Sequence, residues 1–281
     1  MIPQEFDYTA PSSLQETLAL LESGERKLLA GGMTLIPMMK LRLAAPAEVV
    51  DLGRVPGLAG IEESQGVIRI GAMTTHHAVE SSPVVRAHAP LLAATAGHIG
   101  DMQVRNMGTM GGSIAHADPA ADYPAALLAL EAEIHLVSAH SERTVPAAEY
   151  FLDAFTTALE PGEMVLEILV HAQDVTEGSR YEKAPHPASG FAVVGVAARI
   201  QKAGGRISLA RIGVTGLAGR AFRARNAEAI LESGGTIAEA AAVVGEGEDV
   251  NSDLYAAADY RLHLARVHAA RALTAAAARA V

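Results

Sequence analysis

The chain has 281 residues, half of them hydrophobic, which is enough for two domains that each bury a core. A net charge of −10, spread along the chain, opposes nucleic-acid binding, and five Phe, six Tyr and no Trp leave little to stack on bases. With no cysteine there is no disulfide, thiolate zinc site, cysteine nucleophile or cysteine-held iron–sulfur cluster within these residues, so any electrons passing through need an organic cofactor. No apolar run approaches the ~20 residues of a membrane helix. MIPQEFDYTAPSS lacks the basic start and apolar centre of a signal peptide, so the expected location is the cytoplasm.

In chain order, SSLQETLALLES predicts a helix capped by Ser12 or Ser13 with Glu16, with Leu14, Leu18 and Leu21 on one face and Gly24 as its stop. RKLLA reads as a short strand ending at Gly31 and Gly32. TLIPMMKLRL then reads as a helix with Pro37 near its first turn, and EVVDL as a strand, a compact βαβ-like unit. After a turn-rich link from Gly53 to Gly60, GVIRIGAMT is a strand, Thr74 or Thr75 caps the next helix, and VVRAHAPLLAATAGHIG is largely helical. YPAALLALEA reads as a helix, and AEIHLVSA and EMVLEILV as strands. Residues 171–190 are polar and turn-rich and suggest a domain boundary. FAVVGVAARIQ and RISLARIGVTG form a hairpin joined at AGG, followed by helices at FRARNAEAILES and TIAEAAAVVGE and a long Ala-rich helix from Leu254 or Tyr255 to about Arg279. Without strict strand–helix alternation the class is α+β.

Two glycine stretches carry the chemistry. AGGMT places Gly31 and Gly32 where a strand turns towards a helix, so that main-chain N–H groups and the Thr34 hydroxyl can meet an anion, although an ordinary turn has the same look. VRNMGTMGGSIAHADPAADYP holds Gly108, Gly111 and Gly112 with Thr109 and Ser113, too many glycines for a helix interior, and an unusual polar load in Arg105, Asn106, Asp118 and Asp122. Two loops of this kind suit the two phosphates of one dinucleotide. No G-x-x-x-x-G-K-[ST] and no G-x-G-x-x-G opening a βαβ unit is present, so neither a P-loop nor a Rossmann site is supported.

KLLAGGMTLIPMMK, VRNMGTMGGSIAHADPAADYPAALLALEA and YEKAPHPASGFAVVGVAA together resemble the FAD-binding medium subunits of the molybdenum hydroxylase family, which includes those of aerobic carbon monoxide dehydrogenase and the flavin domain of xanthine dehydrogenase. The three blocks stand in family order and span essentially the whole chain. The resemblance implies an FAD-binding domain of the PCMH type at residues 1–175, with subdomains of about 1–57 and 58–175, then a smaller α+β domain at 176–281 with a short antiparallel sheet and helices. It implies that Leu28, Leu29, Ala30, Gly31, Gly32, Met33, Thr34 and Leu35 wrap FAD, with Ala30 to Thr34 at its pyrophosphate and flavin. Thr109, Met110, Gly111, Gly112 and Ser113 would form the second loop, and Asp122 would bind polar atoms of the cofactor. Ile99, Val165 and Lys183 match further contact positions, and either Tyr181 or Phe191 would lie near the flavin ring. Met33 stands where a polar residue is frequent and Ser113 where Asn or Asp is frequent.

The implied role is electron transfer through FAD, with [2Fe–2S] clusters on a small partner, the molybdenum cofactor on a large one, and a dimer of heterotrimers as the assembly. No catalytic residue for the organic substrate and no metal ligand is expected here. An independent flavin oxidase or reductase, which needs a sizeable cap over the flavin, and a cofactor-free assembly module are the alternatives.

Other residues invite chemistry that the pattern does not support. His76 and His77 are adjacent and point apart on a helix, and His263 with His268 lacks H-E-x-x-H. His116, Asp118 and Asp122 lie in the flavin block rather than in a metal motif. Lys183 reads as a phosphate or surface group rather than a catalytic lysine. Arg261, Arg266 and Arg271, five residues apart, do not share a helix face and read as solvent-exposed.

Overall fold

Ser13 opens the first helix of the computed structural model, which describes residues 2–22 and 26–281. Its hydroxyl accepts the Glu16 amide at 3.1 Å, and the Glu16 carboxylate accepts the Ser12 amide at 2.8 Å. The expected stop, Gly24, lies outside the described residues. The first unit runs β1 (Asp7–Thr9), α1 (Leu14–Glu22), β2 (Arg26–Leu29), α2 (Leu35–Leu41) and β3 (Glu48–Asp51). The βαβ reading holds: β2 and β3 are parallel with Leu28 opposite Val50, and β1 adds to the other side of β3. Pro37 is the third residue of α2, where a missing N–H leaves no helical bond unmade. Leu18, Leu52, Val55 and Leu58 bury a small core with Leu14, Leu21 and Leu28.

The second unit contains β4 (Ile61–Ser64), β5 (Val67–Gly71), α3 (His76–Ser81), α4 (Pro83–His88), α5 (Pro90–Gly97), α6 (Met102–Met107), α7 (Met110–His116), α8 (Tyr123–Ala129), β6 (Glu133–Val137), β7 (Glu142–Pro146), α9 (Ala147–Tyr150), β8 (Phe151–Asp153), β9 (Thr156–Thr157) and β10 (Met164–His171). Its sheet is antiparallel with order β4-β5-β10-β6-β7, and the helices cover one face. The segment expected to be largely helical is so, divided at Ala89, whose φ of −141° takes it out of the helix before Pro90, as the proline ring demands of its predecessor. The second glycine stretch is helical, contrary to expectation. Gly111 and Gly112 sit in the first turn of α7, where the Thr109 hydroxyl caps the Gly112 amide at 3.1 Å and the Ala72 carbonyl takes the Gly111 amide at 2.8 Å. The propensity penalty of glycine is thus offset by caps and packing.

The third unit contains β11 (Gly178–Pro185), β12 (Ala192–Ala203), β13 (Arg206–Thr215), β14 (Phe222–Arg223), α10 (Arg225–Glu232), α11 (Ile237–Ala242) and α12 (Ala258–Arg279). An antiparallel sheet in that strand order packs against α10, α11 and α12. Residues 178–185 of the stretch expected as boundary form the strand β11, whose polar side chains pair within the strand and with Asp122 and so hide the alternation. The final helix begins at Ala258, later than expected, because the Asp253 carboxylate accepts the Tyr255 and Ala256 amides at 2.9 Å each and holds that segment in a turn. All seven residues of α8 are buried between the second unit and β12–β13. Tyr181 and Ala197 of the third unit join the core of the second, so the class is α+β and the two units share apolar packing. Among the described residues no helix is long and apolar enough to cross a membrane.

Candidate functional site

The two glycine stretches meet. Gly31 lies against the main-chain carbonyl of Met107, and a Cβ built on it would also stand 2.8 Å from the Gly108 Cα. Ala30 touches Gly112, with the Ala30 Cβ 3.5 Å from where a Gly112 Cβ would stand. The loop after β2 and the start of α7 are therefore one surface, assembled from residues distant in the chain. Gly32 adopts φ of +70°, which lets successive amides turn towards one side.

Polar satisfaction differs between the loops. Among the described residues, the amides of Gly31, Gly32, Met33 and Thr34 have no protein acceptor, and the Thr34 side chain caps nothing. In the second loop the Met110, Gly111, Gly112 and Ser113 amides are all bonded, to Thr74 O, Ala72 O, Thr109 Oγ1 and Thr109 O. The first loop is thus a run of free donors, and the second is a braced wall beside it. A group with several anionic oxygens, such as a pyrophosphate, fits four adjacent free N–H groups, which otherwise need water.

The remaining predicted residues divide by burial. Leu28 packs against the small core of Leu18, Leu52, Val55 and Leu58, while Leu29 and Leu35 are half-buried. Met33 is exposed, Gly112 is exposed and Ser113 is half-buried, so all three face a ligand or solvent. Thr109, Met110 and Val165 are buried, the last two in the core of the second unit, against which Ile99 also packs. Met110 and Val165 lend support from below.

Asp122 and Lys183 come together, which the sequence does not reveal. Lys183 Nζ donates to Asp122 Oδ2 at 2.8 Å and to the His98 carbonyl at 2.9 Å, and the Tyr181 hydroxyl donates to Asp122 Oδ1 at 2.5 Å. Both charged side chains are nearly inaccessible, at 2% and 4% exposure, which corrects the reading of Lys183 as a surface group. Burial pushes the Asp122 carboxyl up from its ordinary range, and Lys183 and Tyr181 oppose that rise. Tyr181 is itself buried and its hydroxyl engaged, so of the two aromatics considered for the flavin ring only Phe191 is exposed.

His76 and His77 do point apart. His76 is buried beside Gly108, with Nδ1 3.3 Å from the Tyr123 hydroxyl, and burial with nearby Arg105 lowers its pKa to about 4. Burial also lowers the pKa of His98 and of His116, whose ring lies tilted against that of Phe155. Arg261 is not solvent-exposed. It is buried, donates to the Val193 and Gly216 carbonyls at 2.7 and 3.0 Å and pairs with Asp253, because spacing alone does not show a carbonyl cluster at the helix start.

Sequence reasoning missed Ala72, the small residue under Gly111, and Thr215, whose hydroxyl bonds the Pro119 and Ala121 carbonyls at 2.9 and 2.7 Å. Neither belongs to a motif. Only the pairing of distant segments marks them.

Residues 4–171 match the family profile described as the FAD binding domain in molybdopterin dehydrogenase, and residues 179–276 match the CO dehydrogenase flavoprotein C-terminal domain. The chain is 42% identical to the carbon monoxide dehydrogenase medium chain of Hydrogenophaga pseudoflava, over 99% of each. It is 40% identical to the glyceraldehyde dehydrogenase medium chain of Sulfolobus acidocaldarius, over 81% of each. The solved carbon monoxide dehydrogenase from Hydrogenophaga pseudoflava, in a form lacking the Mo-pyranopterin moiety of its molybdenum cofactor, matches with a TM-score of 0.97 and 43% identity over all of both chains. The chain belongs to the FAD-binding family of molybdopterin dehydrogenases and is an oxidoreductase flavoprotein subunit with a CO dehydrogenase-type C-terminal domain.

Proposed function

We propose that the chain is the FAD-carrying electron-transfer subunit of a molybdenum-containing hydroxylase or dehydrogenase, standing between partner iron–sulfur clusters and a terminal acceptor. The observation that carries this is the run of unbonded amides at Gly31, Gly32, Met33 and Thr34 beside the braced second loop. Bound FAD supplies the redox chemistry, accepting and releasing electrons that a cysteine-free chain cannot carry itself.

The residues of the chain bind and shield. Ala30 to Thr34 hold the pyrophosphate through N–H donors and the Thr34 hydroxyl, with Leu28, Leu29 and Leu35 as an apolar surround. Thr109, Gly111, Gly112 and Ser113 form the facing wall, over Met110 and Val165, with Ile99 completing the site and Asp122 and Lys183 held to each other behind it. No general acid or base for an organic substrate is assigned, because that chemistry belongs to the molybdenum partner. The division at residue 175, subdomains of about 1–57 and 58–175, a small iron–sulfur and a large molybdenum partner, a dimer of heterotrimers and a cytoplasmic location complete the reading. The presence of partner subunits is supported by the names of the relatives, which are medium chains of dehydrogenases with different substrates.

The test is direct. The purified chain is mixed with FAD, freed of excess and examined by absorption, and released cofactor is identified by mass spectrometry. Stoichiometric FAD that small organic donors do not reduce supports the reading, and iron and molybdenum should co-purify with the chain from its native source. Reduction of the bound flavin by an organic donor without partners would favour an independent oxidase. A folded chain that binds no FAD would favour the assembly module.

A further inference from the structure

The C-terminal unit grips one short segment of the FAD-binding unit, the Asp118–Asp122 link between α7 and α8. The Gly216 amide donates to the Pro119 carbonyl at 2.8 Å and the Ala192 amide to the Ala120 carbonyl at 3.1 Å. The Thr215 hydroxyl, fully buried, reaches the Pro119 and Ala121 carbonyls, and Tyr181 and Lys183 take both oxygens of Asp122. Lys183 also binds the His98 carbonyl, next to Ile99, so one ammonium joins two separate segments of the FAD-binding unit.

This segment directly follows α7, whose first turn is the second loop of the site. The first loop leans on that turn through Gly31 and Ala30. Any shift of residues 118–122 therefore moves the wall against which the free amides of the first loop are set. With both Asp122 oxygens held by protein donors, its carboxylate is better placed to hold the fold than to bind a ligand. A buried charge pair deprived of one member leaves an uncompensated charge, so the two residues act as a unit.

Building on the reading of the site as one for FAD, we propose that the Asp122–Lys183 pair and Thr215 are positioning residues, a clamp by which the C-terminal unit sets the second loop for the cofactor without touching it. The clamp makes the C-terminal unit part of the flavin site.

The test uses the full chain and four variants: Asp122→Asn, Lys183→Met, their double, and Thr215→Val, which is nearly isosteric at a fully buried position. FAD dissociation constants are measured by fluorescence titration, and melting temperatures of the cofactor-free proteins by circular dichroism. The expected result is that Lys183→Met and Thr215→Val each melt lower without FAD and, while still folded, bind FAD at least fivefold more weakly. The double variant should be no worse than the more severe single one. Lower melting with unchanged FAD affinity in Thr215→Val would reduce the clamp to simple scaffolding and overturn the proposal. Additive losses of affinity at Asp122 and Lys183 with unchanged melting of the cofactor-free protein would make them direct contacts and also overturn it. A wild-type chain that binds no FAD would instead remove the reading of the site, while the coupled melting of Asp122 and Lys183 would still be visible.

Discussion

Gly31 rests on the main-chain carbonyl of Met107, so the loop after β2 and the segment leading into α7 are separated by the thickness of a glycine. Any side chain at 31 must push them apart. Gly31→Val is expected to weaken FAD binding at least tenfold, ~1.4 kcal/mol, with the far sheet β11–β14 unaffected. A titration showing unchanged affinity in a folded variant would mean that the contact of the loops has no part in binding.

The buried His76 makes stability fall in acid. Its pKa is about 4 in the fold and 6.5 when unfolded, so between these values the unfolded chain holds the extra proton. Stability is therefore complete above the unfolded value and is lost as pH drops towards 4, by at most ~3 kcal/mol. Urea midpoints at pH 7.0, 5.5 and 4.5, about the window given by the reference and shifted values, should decline less steeply in His76→Gln. Parallel declines in both proteins would assign the acid sensitivity to other groups, His98 and His116 among them.

Two glutamates in one ion network should differ in worth. Glu228 is buried, takes Arg223 at 2.9 and 2.6 Å and also the Ile212 amide at 2.8 Å. Glu131, nearly half exposed, pairs with Arg211 at 3.0 Å and Arg223 at 2.8 Å. Glu228→Gln should cost about 2 kcal/mol, from a buried guanidinium and amide left short of acceptors, whereas Glu131→Gln should cost under ~1 kcal/mol and less still in high salt. Equal losses by denaturant titration would refute the distinction by burial.

Arg261 serves four acceptors with one fork, the Val193, Gly216 and Ala256 carbonyls and the Asp253 carboxylate, which lysine cannot reproduce. Both Arg261→Ala and Arg261→Lys are expected to lose about 2–3 kcal/mol as the Val193 and Gly216 carbonyls lose their donors. Recovery of the wild-type melting temperature in the lysine variant would show that charge alone suffices.

Much of the site was legible because its elements announce themselves locally. The strand before Gly31, the cap at Thr75 and the parallel β2–α2–β3 unit follow from spacing and turn chemistry. What failed depends on distant partners. Gly111 tolerates a helix because Ala72 is small and offers a carbonyl, and Arg261 is buried because carbonyls of two separate segments converge on it. Likewise β11 hides its alternation because Arg180, Glu182 and Lys183 are each paired rather than simply solvated. The Asp122–Lys183 pair could be named as two positions, but not as one contact.

The burial of α8 has a consequence for how the protein is made. Its outer face is covered by strands that begin at Ala192 and end at Thr215, more than sixty residues after α8 itself has been synthesised. While the chain is emerging from the ribosome, the FAD-binding unit therefore has an open apolar flank. That flank closes only when the last third of the polypeptide arrives, so a message cut short in that region leaves α8 with its apolar face uncovered.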